Sequence, residues 1–214
     1  MAAVAAAVAV MGLVDAVWRP GYLIKSIIKA FLFIGLPLLH AHRHPQDRGR
    51  PWAVRNAGLG KAVGAGLAVY ALIMAAYLLM KDHIDLSAVS GRLSGDVGVT
   101  AANFVWVALY ITVVNSLMEE FFFRYFAFMM LARHVGRPAA DIFSAAAFAL
   151  YHVAMMLGWF DAGLVAAAIA ALAAGGLLLN RCDRRSGTIW PSWLIHLCAN
   201  LAINTVGFIL LGLL

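Results

Sequence analysis

Two adjacent glutamates in the middle of an apolar stretch constrain this chain more than any other feature of its sequence. Glu119 and Glu120 are the only glutamates in the 214 residues, and positions 101–118 before them carry no charged side chain. Arg124 follows Glu120 at i,i+4, the spacing at which two side chains on one helix can form an ion pair. Because ionised groups are costly to bury in apolar surroundings, the two adjacent glutamates indicate a functional site.

The composition predicts a membrane protein. The chain is 64% hydrophobic and only 12% charged, about half the charged fraction of a soluble domain, and its mean hydropathy is +0.88. Apolar runs of the length needed to cross a bilayer recur along it. We therefore expect an all-α fold, a polytopic transmembrane helix bundle of six to seven or eight helices, with residues 1–214 forming a single integral membrane domain.

Six spans are predicted after residue 22. They cover residues 22–40, 62–80, 101–132, 139–159, 162–179 and 188–214. The Ala- and Val-rich segment 2–18 would reach about 25 Å as a helix, which is marginal for a span. It is interpreted as a first helix, a half-inserted segment or a start-site artefact, and the lack of a basic start argues against a cleaved signal peptide.

The charged loops predict an orientation. Basic loops at 41–61, 133–137 and 181–185 alternate with non-basic loops at 81–96 and 158–161. The positive-inside rule then places the basic loops in the cytoplasm of a multi-pass protein of the cell inner membrane. The net charge of +6 is interpreted as attraction to the anionic lipid bilayer, and no nucleic-acid partner is expected.

Three of the predicted helices carry polar groups that can meet. The first bears Glu119, the second His152, and the third His196 with Asn200 at i,i+4, hence on one face. Counted at ~1.5 Å per residue from the proposed cytoplasmic ends, these groups lie about 18–20, 20 and 12 Å deep. Since helix tilt and boundary error are of similar size to this spread, the groups can share one level of the bundle.

These residue types suit the hydrolysis of a peptide bond. A carboxylate and an imidazole that converge on a water can act together as a general base. A second imidazole with an amide can donate hydrogen bonds to the developing oxyanion, usually the largest contribution in acyl transfer. No covalent intermediate is required.

The order of the motifs resembles a known family. Glu-Glu-x-x-x-Arg, then Phe-x-x-x-His, then His-x-x-x-Asn occur on three polar-bearing helices within about residues 101–205. This pattern is similar to that of the CAAX-protease and bacteriocin-processing (CPBP/Abi) family of intramembrane proteases, related to the eukaryotic prenyl-protein endopeptidase. The resemblance implies that Glu120 and Arg124 support the site as an ion pair.

The resemblance also implies a role for each remaining motif residue. Glu119 and His152 would activate the attacking water, and His196 and Asn200 would stabilise the oxyanion. The expected partner is a peptide or protein substrate that is membrane-associated or tagged near its C-terminus.

The metal content stays open at this stage. Glu119, His152 and His196 form a plausible zinc set with water in the fourth position. The His-Glu-x-x-His spacing of zinc proteases is absent, and Asn200 beside His196 fits an oxyanion hole better than a ligand shell. We expect a glutamate-type protease with no metal and no cofactor, with a zinc-dependent version as the alternative.

Two other classes of protein remain as alternatives. A proton-coupled transporter would use the glutamates and histidines as a relay, although no inverted repeat is detectable in the sequence. A non-catalytic bacteriocin-immunity membrane protein would keep the same residues as a scaffold.

The remaining notable side chains are interpreted as structural. Asn115 and Asn204 are expected to join helices outside the site. The phenylalanines at 121–123 are expected to face lipid and provide packing bulk, with a place in the lining of the substrate groove as the alternative for some of them. The histidines at 40, 42 and 44 resemble a metal-binding tract, but their neighbours favour a loop at the level of the lipid headgroups.

Overall fold

A computed structural model describes residues 1–54, 58–83, 100–156 and 161–214. Within these ranges the chain is helical and contains no strand, which confirms the predicted all-α fold. The described helices are α1 (Ala2–Trp18), α2 (Tyr22–Arg43), α3 (Leu59–Met80), α4 (Phe104–Val135), α5 (Arg137–Met156), α6 (Ala162–Ser186) and α7 (Trp190–Leu210).

Five of the described helices are long and apolar enough to cross a membrane, namely α2, α3, α4, α6 and α7. The prediction of a polytopic helix bundle is confirmed. The last residues of the predicted span 139–159 lie outside the described residues, as do most of the non-basic loop 81–96 and residues 158–160 of the next one.

The N-terminal segment folds as a helix of the bundle. α1 buries Val4, Ala7, Met11 and Val14, which recur at helical spacing, and packs against α5. An ion pair between Asp15 and Lys25 joins α1 to α2. α1 has 17 residues and is apolar overall, but it is shorter than the five helices that could span a membrane.

The three basic loops meet at one end of the bundle. A cavity of about 390 Å³ there is lined by Arg50 from the first loop, Arg133 and Arg137 from the second and Arg184 from the third. Described residues of all three basic loops thus lie around one cavity.

A capping interaction sets where the last helix begins. Asp183, near the end of α6, accepts hydrogen bonds from the backbone N–H of Ser192 at 3.0 Å and from its hydroxyl at 2.6 Å. The turn between the two helices passes through Gly187 at φ +73°. Because Ser192 lies in the first turn of α7, this contact fixes the position of His196 one turn further along.

The phenylalanines that follow the glutamates lie inside the bundle. Phe122 and Phe123 are fully buried, and Phe121 is 4% exposed, so the expectation that they face lipid was wrong. Phe33 of α2 stacks on Phe122 with ring centroids 4.2 Å apart and contacts Tyr151 of α5 edge to face. Lipid and protein interior are both apolar in a membrane protein, so apolarity alone does not distinguish the two environments.

Replacing Phe33 by alanine should lower the free energy of unfolding by about 3–5 kcal/mol, because the change opens a cavity in the aromatic cluster. Phe31 is the matched control, since it lies on the same helix with 73% of its surface exposed. Thermal unfolding in detergent should therefore separate Phe33→Ala from a near-neutral Phe31→Ala. Equal effects of the two substitutions would contradict the described orientation of α2.

Candidate active site

α4 places both glutamates in the interior at the middle of its length. Residues Ser116–Glu120 form regular α-helix, and wider π-helical turns flank them at Tyr110–Asn115 and Phe121–Met130. Such turns are frequent at functional sites. Glu119 is 2% exposed and Glu120 is fully buried.

One carboxylate oxygen of Glu119 is held firmly. Glu119 Oε1 forms an ion pair with the ammonium of Lys29, which reaches it from α2. The same oxygen accepts a hydrogen bond of 2.9 Å from the amide of Asn115, one turn earlier on α4. Asn115 Oδ1 in turn accepts from Lys29 Nζ at 2.5 Å. The three groups close a triangle that fixes the direction of the glutamate side chain.

The second oxygen of Glu119 is buried and has no hydrogen-bond partner among the described residues. It lies 3.6 Å from Nε2 of His196 and 3.8 Å from Nε2 of His152. Both distances are too long for direct hydrogen bonds but suit a small group held between the three atoms. A buried acceptor and two imidazoles from three helices therefore face one point.

The other ring nitrogen of each histidine already has a partner. His152 Nδ1 lies 2.8 Å from the carbonyl oxygen of Phe148, which can only accept a hydrogen bond. His196 Nδ1 lies 2.7 Å from Oε1 of Glu120. We assign a proton to Nδ1 in both rings from these acceptors. In the neutral rings, the Nε2 atoms that face Glu119 then carry free lone pairs.

Glu120 links the site to the rest of the bundle. Arg124 Nε donates to Glu120 Oε2 at 3.0 Å, so the ion pair predicted from the i,i+4 spacing is present. The guanidinium also donates to Asn180 Oδ1 of α6 at 3.1 Å and lies 4.5 Å from the ring centroid of Phe148. Glu120 thereby holds Arg124 on one oxygen and His196 on the other.

The hydrogen bond of Asn200 is to the backbone of α4. Its amide donates to the backbone carbonyl of Ile111 on α4 at 3.0 Å. Asn204, a turn further along, donates to Thr112 Oγ1 at 2.9 Å, which agrees with its expected role in joining helices. The structure thus brings Glu119, His152 and His196 together, and places Asn200 one turn beyond His196 on α7.

Two side chains that contact Glu119 were not predicted to belong to the site. Asn115 was expected to lie outside the site, yet it hydrogen-bonds Glu119; its i,i+4 spacing could have indicated this contact. Lys29 is 90 positions from Glu119, and no spacing rule connects them. A lysine inside an apolar helix is itself a signal, because such residues seldom lack a buried partner.

The same atoms could hold a divalent metal. Glu119 Oε2 and the two Nε2 atoms are suitable ligands, and each histidine donates its other N–H to an oxygen, as zinc ligands do. The ammonium of Lys29 on the neighbouring oxygen of Glu119 opposes a second positive charge there. The described residues thus offer a ligand set whose carboxylate is already neutralised.

The fold and the site define a multi-pass membrane protein with a carboxylate and two imidazoles gathered in its interior. The model of the family described as type II CAAX prenyl endopeptidase Rce1-like matches residues 101–202. This match, over just under half of the chain, supports a CAAX-type membrane protease in general, with a protein or peptide substrate. No curated protein and no solved structure matches the chain significantly.

Replacing Lys29 by methionine should destabilise the protein by about 3–5 kcal/mol, because it leaves the Glu119 carboxylate buried without a cation. Adding Glu119→Gln should recover much of that loss, which thermal unfolding of both single variants and the double variant would measure. The parallel cycle with Glu120→Gln is the control and should show little recovery. Equal recovery in the two cycles would contradict the specific Lys29–Glu119 pairing.

Proposed function

We propose that this protein is an intramembrane endopeptidase of the glutamic type, which hydrolyses a peptide bond with an activated water and without a metal. The observation that carries the proposal is Glu119 Oε2, which is buried, has no hydrogen-bond partner within the described part of the chain, and faces Nε2 of both His152 and His196. A water bound among these three atoms would contact one carboxylate and one free imidazole lone pair at once. Attack by that water on the substrate carbonyl would follow general-base catalysis.

In this mechanism Glu119 and His152 act together as the general base. Lys29 and Asn115 hold Glu119 Oε1, so Oε2 points at the water with its lone pairs available. His152 is kept in the required tautomer by its bond to the Phe148 carbonyl and takes up the proton on Nε2. That proton can later pass to the leaving amine.

His196 and Asn200 would stabilise the oxyanion. In its imidazolium form, His196 would donate from Nε2 while its Nδ1 stays bonded to Glu120. The Asn200 amide carries two N–H groups, and its bond to Ile111 uses one of them. Arg124 and Glu120 would act as supports that orient His196.

The location of the site indicates the kind of substrate. Glu119 lies at the middle of α4 and His196 in the first third of α7, and both helices are long and apolar enough to cross a membrane, so the substrate peptide must reach them from within or beside the bilayer. We propose a membrane-associated or C-terminally tagged protein substrate. The arginines gathered around the cavity at one end support a cytoplasmic position for that end in the cell inner membrane.

Glu119→Gln should reduce cleavage by about 10²–10⁴-fold, because the amide cannot serve as a general base. The variant should still accumulate in membranes. Mass spectrometry of protein C-termini in membranes of cells producing wild type or the variant would reveal the cleaved products, whatever the identity of the substrate. Thr205→Val is a control remote from the site, since this hydroxyl bonds Tyr70 on α3 and the Leu201 carbonyl.

Cleavage products in Thr205→Val membranes that are missing in Glu119→Gln membranes would support the proposal. Identical C-termini in all three samples would contradict it and favour a non-catalytic protein.

Asn200→Ala should lower kcat by about 10²–10³-fold, the usual effect of removing one oxyanion donor. Asn204→Ala is the matched control, because it removes a buried amide that also bonds to α4 but lies a further turn from His196. Both variants should lose some thermal stability, and only Asn200→Ala should lose activity. A comparable kcat in the two variants would assign Asn200 a purely structural role.

Chelation of metal ions distinguishes the zinc-dependent mechanism from the metal-free one. The Lys29 ammonium beside Glu119 disfavours a dication at that carboxylate, so cleavage should persist after treatment with 1,10-phenanthroline. The measurement is the rate of product formation in detergent before and after treatment. Loss of activity that Zn²⁺ restores, with Glu119→Gln failing to bind the ion, would establish the zinc mechanism instead.

A further inference from the structure

A second cluster of ligand-type side chains lies at the arginine-rich end of the bundle, outside the candidate active site. Asp47 Oδ2 is 3.0 Å from Nε2 of His40 and 3.0 Å from Nε2 of His134. The three ligand atoms all lie within 4.8 Å of one another. Asp47 is 4% exposed, and His134 keeps about half of its side chain exposed to the surroundings.

The cluster joins distant parts of the chain. His40 lies in the last turn of α2, Asp47 ends the short turn Pro45–Asp47, and His134 lies in the last turn of α4. His134 and Asp47 are 87 positions apart. Two imidazole nitrogens thus converge on a single carboxylate oxygen.

The sequence drew attention to a different set. In the sequence, His40, His42 and His44 resemble a metal-binding tract, but their neighbours favour a loop at the level of the lipid headgroups. His40 contacts Asp47 and the ring of Phe126 on α4, and the His44 ring lies beside it with centroids 4.6 Å apart. His42 is exposed and takes no part in the cluster.

We propose that His40, Asp47 and His134 form a binding site for a divalent transition metal of the Zn²⁺ type. Two imidazoles and one carboxylate are a donor set that such ions favour. Ligand atoms around a tetrahedral zinc ion stand about 3.3 Å apart, so two of the three separations are close to the required value. Each imidazole would carry its proton on Nδ1 and give its Nε2 lone pair to the ion.

The position of the site gives a bound metal a structural role. It would fasten the end of α2 to the end of α4, the two helices that supply Lys29 and Glu119 to the candidate active site. The inference does not depend on the proposed protease activity, because it concerns other residues at another place in the bundle. It does imply that zinc found in the purified protein need not lie at the glutamates.

The test is Zn²⁺ binding to the full-length protein in detergent, after removal of any affinity tag. Isothermal titration should show one saturable site in wild type, and Zn²⁺ should raise the melting temperature. His134→Gln and Asp47→Asn should each weaken binding by at least about tenfold, since even outer-shell changes weaken metal sites by about 10- to 100-fold. His42→Gln, from the same loop, is the matched control and should bind as wild type does.

A further variant separates this site from the candidate active site. Glu119→Gln should retain full Zn²⁺ binding if the metal lies at the cluster. Binding that is lost in Glu119→Gln and kept in His134→Gln would overturn the proposal and support the zinc-protease alternative. No saturable binding in wild type would reduce the cluster to a hydrogen-bonded clamp.

Discussion

The burial of two adjacent carboxylates is the constraint on which the rest of this structure depends. An ionised carboxylate taken out of water without a partner would be penalised by several kcal/mol. Each glutamate therefore has its own cation, and the two cations come from different directions: Lys29 reaches Glu119 from α2, and Arg124 reaches Glu120 along α4. Because the pairs are separate, one oxygen of each glutamate is left for a histidine or for chemistry.

This requirement involves parts of the chain that the family match does not cover. The match runs from residue 101 to residue 202, and Lys29 lies well outside it. The ammonium lies against the aromatic faces of Tyr151 and Phe33, at 4.8 and 5.4 Å from the ring centroids, which is a cation–π arrangement. The N-terminal helices are thus more than a membrane anchor, since they complete the surroundings of Glu119.

The sequence predicted the fold class and the meeting of three helices, because length, hydropathy and i,i+4 spacing are local properties. The ion pair of Glu120 with Arg124 could be predicted in the same way, from the i,i+4 spacing of the two residues. The contact between Lys29 and Glu119 could not be predicted, because it depends on how α2 packs against α4. No periodic pattern in the sequence relates the two residues. The burial of Phe122 was missed for a related reason: an apolar ring suits both lipid and core, and only the packing of neighbouring helices decides between them.

The two glutamates are adjacent residues of the same type, but they lie in different environments. We therefore propose different roles for them. Glu120 uses one oxygen for Arg124 and the other for His196, so no oxygen is left to face a substrate. Glu119 has one oxygen held by Lys29 and Asn115 and one that points at the two imidazoles. A base must keep a lone pair free while its direction is fixed, and only Glu119 meets both conditions. This asymmetry is the physical reason to assign water activation to Glu119 and the orientation of His196 to Glu120.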